Sequence, residues 1–156
     1  MRALLLAGTM LLAAGCASQP MNQRATLLVS LTGIQEVPGP GDPDGNGTVE
    51  VRADPVSGEI CWNLYARAIE EATAAHIHRG PAGVAGPVVL PLTTPDAAGR
   101  SQGCATVAPA LAREIAYQAH EFYVNVHDGA YPNGAIRGQL RGGPRRPERG
   151  VRVSPL

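Results

Sequence analysis

The 156-residue sequence predicts an all-β domain, built as a sandwich or a barrel of about eight short strands. Glycine (19 residues) and proline (14 residues) interrupt the chain densely, so there is little room for long helices. Short runs in which apolar and polar residues alternate recur between these interruptions, which is the period of a half-buried strand. The predicted strands span residues 25–32, 47–53, 60–66, 73–78, 86–92, 103–107, 121–127 and 135–140.

One segment predicts a helix instead. In residues 109–119, Pro109 stands near a helix start, and Leu111 and Ile115 are four residues apart, on the same helical face. We therefore expect a helix of about three turns that covers one end or edge of the sheet.

The N-terminus has the pattern of a secretory signal peptide over residues 1–15. Arg2 supplies a positive charge, residues 3–14 are almost entirely apolar, and small residues precede Cys16. Residues 12–16 resemble a bacterial lipobox, although Leu12 lies one position further from the cysteine than usual. We expect lipidation of Cys16; the alternative is an ordinary cleavage site after Ala14 or Ala17.

This N-terminus predicts the cellular location and the domain organisation. Acyl chains on Cys16 would anchor the protein in the cell envelope, and Ala17 in place of an aspartate favours the outer membrane, facing the periplasm. Residues 16–24 are then a linker, residues 25–140 the folded domain, and residues 141–156 a disordered tail rich in arginine and proline.

Composition excludes several functions. The formal net charge is zero and aromatic residues are few, which disfavours nucleic acid binding. Neither a G-x-S-x-G nor a phosphate-binding G-x-x-x-x-G-K-[ST] motif occurs, and the sequence has no lysine. We therefore expect a binding module that is not an enzyme.

Three cysteines occur in the sequence. With Cys16 acylated, Cys61 and Cys104 remain as a pair in strand-like segments of a protein exported to an oxidising compartment. The simplest prediction is a disulfide between them.

The histidines are the main candidates for chemistry. Alternation places His76 and His78 on the same face of one strand, and His127 on the polar face of another. If these strands are neighbours, three imidazoles converge, as zinc or copper requires. The alternative is that the histidines hydrogen-bond to loops and to each other.

Several motifs in order resemble the CHRD domain, named from chordin. They are LTGIQEVP (31–38), AHIHRG (75–80), GPVV (86–89), YVNVH (123–127) and PNGAIRGQL (132–140). The resemblance covers residues 25–140 and implies an immunoglobulin-like or Greek-key β-sandwich or barrel, with His76, His78 and His127 in motif positions. Bacterial members of this family often resemble the chain in carrying cysteines at positions 61 and 104.

Two further residues fall in the motif positions. Glu36 and Arg137 form either a structural ion pair between the first and last strands or, for Glu36, a contact that orients a histidine.

Two functions follow as hypotheses. The first is a lipid-anchored cell-envelope module that binds a protein or polysaccharide partner. The second is a periplasmic protein that binds copper or zinc through His76, His78 and His127. A redox enzyme that uses such a metal is a third, weaker alternative.

Overall fold

Alternation of apolar and polar residues produces eight strands, which pair antiparallel in one sheet that is nearly closed into a barrel. The computed structural model describes residues 22–144. Its strands are β1 (Ala25–Thr32), β2 (Asn46–Ala53), β3 (Glu59–Arg67), β4 (Ala72–Arg79), β5 (Val88–Leu92), β6 (Arg100–Thr106), β7 (Phe122–Asp128) and β8 (Ile136–Gln139).

The strand order in the sheet is β5-β4-β7-β8-β1-β2-β3-β6. The two edge strands, β5 and β6, approach each other, and the hydroxyl of Ser101 on β6 donates a hydrogen bond to the carbonyl of Thr93 just after β5. This contact brings the two edges of the sheet together.

The helix α1 (Pro109–Tyr117) packs against β1, β2 and β3, with Ala112, Ile115 and Ala116 buried. Short 3₁₀ turns follow β1 (Gly33–Gln35) and precede β7 (Ala119–Glu121). Among residues 22–144, no helix is long and apolar enough to cross a membrane.

The inward faces of the strands share one apolar core. Leu27, Leu31, Val49 and Val51 are fully buried there, and the indole of Trp62 donates to the Ser101 hydroxyl at 3.1 Å. At about 25 cal/mol per Å² of apolar surface, burial of these side chains is the main term that stabilises the barrel.

The prediction of an all-β domain with eight short strands and one short helix is confirmed. The single sheet favours the barrel alternative, whereas the immunoglobulin-like or Greek-key arrangement stays a prediction. The helix ends two residues earlier than predicted, because Gln118 leaves helical geometry at φ −130° and ψ 41°.

The disulfide prediction is confirmed. Cys61 on β3 and Cys104 on β6 are directly opposite in the antiparallel ladder and are bonded, across a sequence separation of 43 residues. The predicted signal peptide, the lipidation site Cys16, most of the linker and residues 145–156 of the predicted tail lie outside the described residues.

Candidate metal centre

The pairing of β4 with β7 brings three histidines together. His78 lies opposite Tyr123, His76 opposite Asn125, and Ala74 opposite His127 in this antiparallel ladder. The apolar Ile77, Val124 and Val126 face the core, so the imidazoles project from the outer face of the barrel. One ring nitrogen of each of the three histidines lies within 4.8 Å of those of the other two.

Loop carbonyls hold two of the imidazoles by their Nδ1 atoms. His78 Nδ1 is 2.8 Å from the carbonyl oxygen of Gly86, and His127 Nδ1 is 3.0 Å from that of Pro132. Because a carbonyl only accepts, each Nδ1 carries the proton and each Nε2 keeps a lone pair. The Nε2 atom of His78 is unpartnered, whereas that of His127 accepts a hydrogen bond from His76 Nδ1 at 3.2 Å. The hydrogen bonds to loops and between histidines that were the alternative to a metal site are therefore present in the metal-free protein.

The spacing of the nitrogens is close to what a metal needs. Two nitrogens bound at 2.0–2.1 Å to tetrahedral zinc are separated by roughly 3.3 Å. His76 Nδ1 and His127 Nε2 lie 3.2 Å apart in a hydrogen bond, so a metal bound between them would replace the proton on His76 Nδ1. The ring nitrogens lie within 4.8 Å of one another, so metal binding would bring the widest pair about 1.5 Å closer.

The electrostatics of His76 and His127 favour neutral imidazoles. Burial lowers the pKa of His76, and the nearby His127 and His78 lower it further. Burial also lowers the pKa of His127, although its hydrogen bond with Pro132 opposes this effect. Neutral imidazoles are the form that binds a metal, so protons compete weakly for these nitrogens at neutral pH.

Beside the cluster, the outer face of β7 and β8 carries buried polar residues. Asn125 is 2% exposed, Arg137 1% and Gln139 6%. Four buried side-chain atoms in residues 22–144 lack a hydrogen-bond partner, and all lie in this polar layer or against it: Glu36 Oε1, His78 Nε2, Asn125 Oδ1 and Arg137 NH1. A bound metal would satisfy His78 Nε2, so the donor set fits a metal.

The loops above this layer explain its burial. Gly86 lies so close to the chain that a Cβ there would be 1.6 Å from the carbonyl oxygen of Arg79, so only glycine fits. The amide of Tyr131 donates to the carboxylate of Asp128, a local turn that brings Pro132 to His127.

Glu36 and Arg137 are neighbours in the same layer, but they are not joined by an ion pair within 4.0 Å. The NH2 atom of Arg137 donates to the carbonyls of Pro81 and Val84 at 3.1 Å each, while NH1 is unpartnered. Burial raises the pKa of Glu36 to about 7, against the opposing attraction of Arg137. The two side chains therefore attract each other without forming the direct ion pair that was one of the two roles expected from the sequence.

The packing around Glu36 is close on its other side. A Cβ on Gly134, whose φ is +137°, would lie 2.4 Å from the carboxylate carbon of Glu36. The structure shows no hydrogen bond between Glu36 and the three clustered histidines. The proposed role of Glu36 in orienting a histidine stays a prediction.

His120 lies apart from the cluster. It is exposed at the 3₁₀ turn before β7, and its Nε2 is 3.3 Å from the carboxylate of Glu121. Position 120 lies outside the motifs quoted from the sequence, and the structure places its side chain away from the other three histidines.

Sequence reasoning did not assign a role to Tyr123, although it lies on the same face as His127. Its ring stacks on His78 with 4.7 Å between ring centroids and 10° between planes. The alternation of β7 was the available signal. Gly86 and Pro132 begin two of the motifs quoted from the sequence, but nothing in the sequence indicated that their carbonyls contact histidines, because any residue offers a carbonyl.

A separate groove of about 410 Å³ lies at the far ends of β3 and β6, where the β3–β4 connection faces the β5–β6 connection. Tyr65, Arg67, Glu70 and Asp96 contribute polar groups to it. None of the clustered histidines lines this groove.

Comparison with protein-family models finds a match over most of the described residues. The family model of the CHRD domain matches residues 27–140, which include all three clustered histidines, both disulfide cysteines, Glu36 and Arg137. Comparison with curated proteins and with solved structures finds no match.

Proposed function

Because the chain belongs to the CHRD domain family, with its histidine cluster inside the matched region, we propose that it is a cell-envelope module that binds one zinc or copper ion. His76, His78 and His127 are the proposed ligands. The observation that carries the proposal is the convergence of their ring nitrogens within 4.8 Å, with the Nε2 atom of His78 buried and unpartnered.

The chemistry of the ligands selects the class of metal. Three neutral imidazoles suit zinc and copper, whereas calcium and magnesium require oxygen ligands. Hydrogen bonds from Nδ1 to Gly86 and Pro132 are the usual way in which proteins orient metal-bound histidines. We propose binding as the function, with no reaction at the metal.

The test is calorimetric titration of the secreted chain with zinc and with copper. We expect one ion per chain, and a loss of at least 100-fold in affinity when His76, His78 and His127 are all replaced by alanine. His120→Ala is the matched control, because it removes the fourth histidine without touching the cluster. Equal binding by the triple variant, or no binding by the folded wild-type chain, would contradict the proposal.

We propose that the protein acts at the outer membrane, facing the periplasm, held by a lipid on Cys16. The signal-like N-terminus supports this location, and the Cys61–Cys104 disulfide is typical of proteins in oxidising compartments. Replacement Cys16→Ser should move the protein from the membrane fraction to the soluble fraction. Unchanged dependence on detergent for extraction would contradict the anchor.

A second candidate function is the binding of a protein or polysaccharide partner. The groove near Tyr65 favours it, since an aromatic ring beside the charged groups of Arg67, Glu70 and Asp96 suits a polar partner. Co-sedimentation with cell-wall polysaccharide, compared between wild type and Tyr65→Ala, tests this function independently of metal. Identical sedimentation of the two proteins would argue against the groove.

A further inference from the structure

Two neighbouring groups fix the imidazole of His78. Its ring stacks on Tyr123, its partner across the β4–β7 ladder, and its Nδ1 atom faces the carbonyl of Gly86 at 2.8 Å. The ring plane and the tautomer are therefore both determined by neighbouring groups. The consequence is that Nε2 is buried without a hydrogen-bond partner and keeps its lone pair.

Tyr123 is itself fixed by a second contact from the opposite neighbour of β7. The guanidinium carbon of Arg137, on β8, lies 3.4 Å from the centroid of the Tyr123 ring. The hydroxyl of Tyr123 accepts a hydrogen bond from the amide of Gly86 at 3.1 Å. The three side chains thus form a row across β8, β7 and β4 that ends at His78.

Arg137 also holds the loop that supplies the carbonyl. Its NH2 atom donates to Pro81 and Val84, both in the loop that leads from β4 to Gly86. Gln139, the next outward-facing residue of β8, donates to the carbonyl of Gly80 at 2.9 Å. One end of this loop is therefore fastened by Arg137 and Gln139, and the other by His78 and Tyr123.

From these contacts we propose that Tyr123 and Arg137 are positioning residues for the metal ligand His78. Tyr123 sets the plane of the imidazole, and Arg137 holds both the Tyr123 ring and the loop whose Gly86 carbonyl selects the tautomer. This inference rests on the proposed function, since it assigns roles around the same metal. Loss of such outer contacts lowers metal affinity by 10- to 100-fold in proteins generally.

The first experiment compares zinc affinity and the ligand-field spectrum of the cobalt(II) form between wild type and Tyr123→Leu. We expect affinity to fall about 10- to 100-fold and the cobalt spectrum to change, because the imidazole loses its stacking surface. Tyr123→Phe keeps the ring but loses the hydroxyl that contacts Gly86, so its affinity should fall less than that of Tyr123→Leu. Tyr65→Leu is the matched control, because it makes the same replacement at an exposed tyrosine on β3, and its affinity should equal that of wild type. Arg137→Lys keeps the charge but loses the planar donor group, and it should weaken binding by an intermediate factor.

Near-ultraviolet circular dichroism and the mass of the intact disulfide establish that each variant is folded. A folded Tyr123→Leu protein with wild-type affinity and spectrum would overturn the positioning roles while leaving metal binding intact. Failure of the wild-type chain to bind zinc and copper would overturn the proposed function instead, so the two failures are distinguishable.

A measurement on the wild-type protein alone is independent of any folding defect in the variants. Long-range ¹H–¹⁵N correlation spectra of the metal-free protein report which nitrogen of each histidine carries the proton. We expect His78 in the Nδ1–H tautomer, the less common form in water, because Gly86 accepts from that atom. A His78 resonance with the proton on Nε2 would contradict the proposal.

Discussion

The outer face of the barrel differs between its two sides, although both sides cover the same apolar core. On β2, β3 and β6, outward residues such as Arg52, Asn63 and Gln102 are exposed to solvent. On β7 and β8, the outward residues Asn125 and Arg137 are almost completely buried beneath loops. Burial of polar groups costs free energy, so their burial on the loop-covered side is typical of a functional site. The open side is an ordinary solvated sheet.

Two carboxylates illustrate the same difference. Burial raises the pKa of Glu36, on the covered side, to about 7. At the β2–β3 turn, hydrogen bonds from the backbone amides of Val56 and Ser57 lower the pKa of Asp54 to about 2. The turn stabilises a charge by hydrogen bonding, whereas the covered face leaves the Oε1 atom of Glu36 without a donor.

The largest expected effect comes from removing the disulfide on the open side of the barrel. Replacement of Cys61 and Cys104 together by serine should lower the free energy of unfolding by about 4 kcal/mol, because a closed loop of this length restricts the unfolded chain. Urea denaturation measures the loss. Metal affinity of the folded variant should stay at the wild-type value, and a change in that affinity would show that the two sides are coupled.

The next effect comes from a matched pair of arginines. Arg137→Ala should cost about 3 kcal/mol, because it removes a fully buried side chain together with its hydrogen bonds to the carbonyls of Pro81 and Val84. Arg52→Ala on β2, where the side chain is 62% exposed, should cost less than about 0.5 kcal/mol. Similar losses in thermal unfolding for both variants would contradict the distinction between the sides.

The pH dependence of stability should reveal the buried carboxyl group. Glu36 has a raised pKa in the folded state, so its contribution is complete below about pH 4.5 and is lost as the pH rises through about 7. We expect the free energy of unfolding to fall by about 2 kcal/mol between pH 5 and pH 8 from this group. Glu36→Gln should abolish that part of the slope, and an unchanged slope in this variant would assign the effect elsewhere.

The smallest expected effect concerns the charges of the open side. Arg52 and Glu50 lie 3.6 Å apart on β2, and both side chains are solvent-accessible. A double-mutant cycle with Arg52→Gln and Glu50→Gln should give a coupling energy below about 0.5 kcal/mol, which 1 M salt removes. A coupling above 1 kcal/mol would mean that the open side is less solvated than its exposure indicates.

Much of this arrangement could be predicted from the sequence, because alternation is a local property. It assigned His76, His78 and His127 to outward faces and located each strand to within a few residues. The separation of Glu36 from Arg137 could not be predicted, because the guanidinium binds the loop carbonyls of Pro81 and Val84 instead. Those carbonyls belong to the backbone, which has no residue-specific pattern.

The sequence by itself determined the all-β class, the pair of cysteines in the disulfide and the face on which each histidine lies. Only the tertiary structure decided that β4 and β7 are neighbours, which joins His76 to His127 across 51 residues of chain. It also decided that loops cover the polar face of β7 and β8, that loop carbonyls hold two of the imidazoles, and that ring nitrogens of all three histidines lie within 4.8 Å of one another. The reason is physical: side-chain alternation arises from the local backbone, whereas strand order and loop contacts depend on packing between segments distant in sequence.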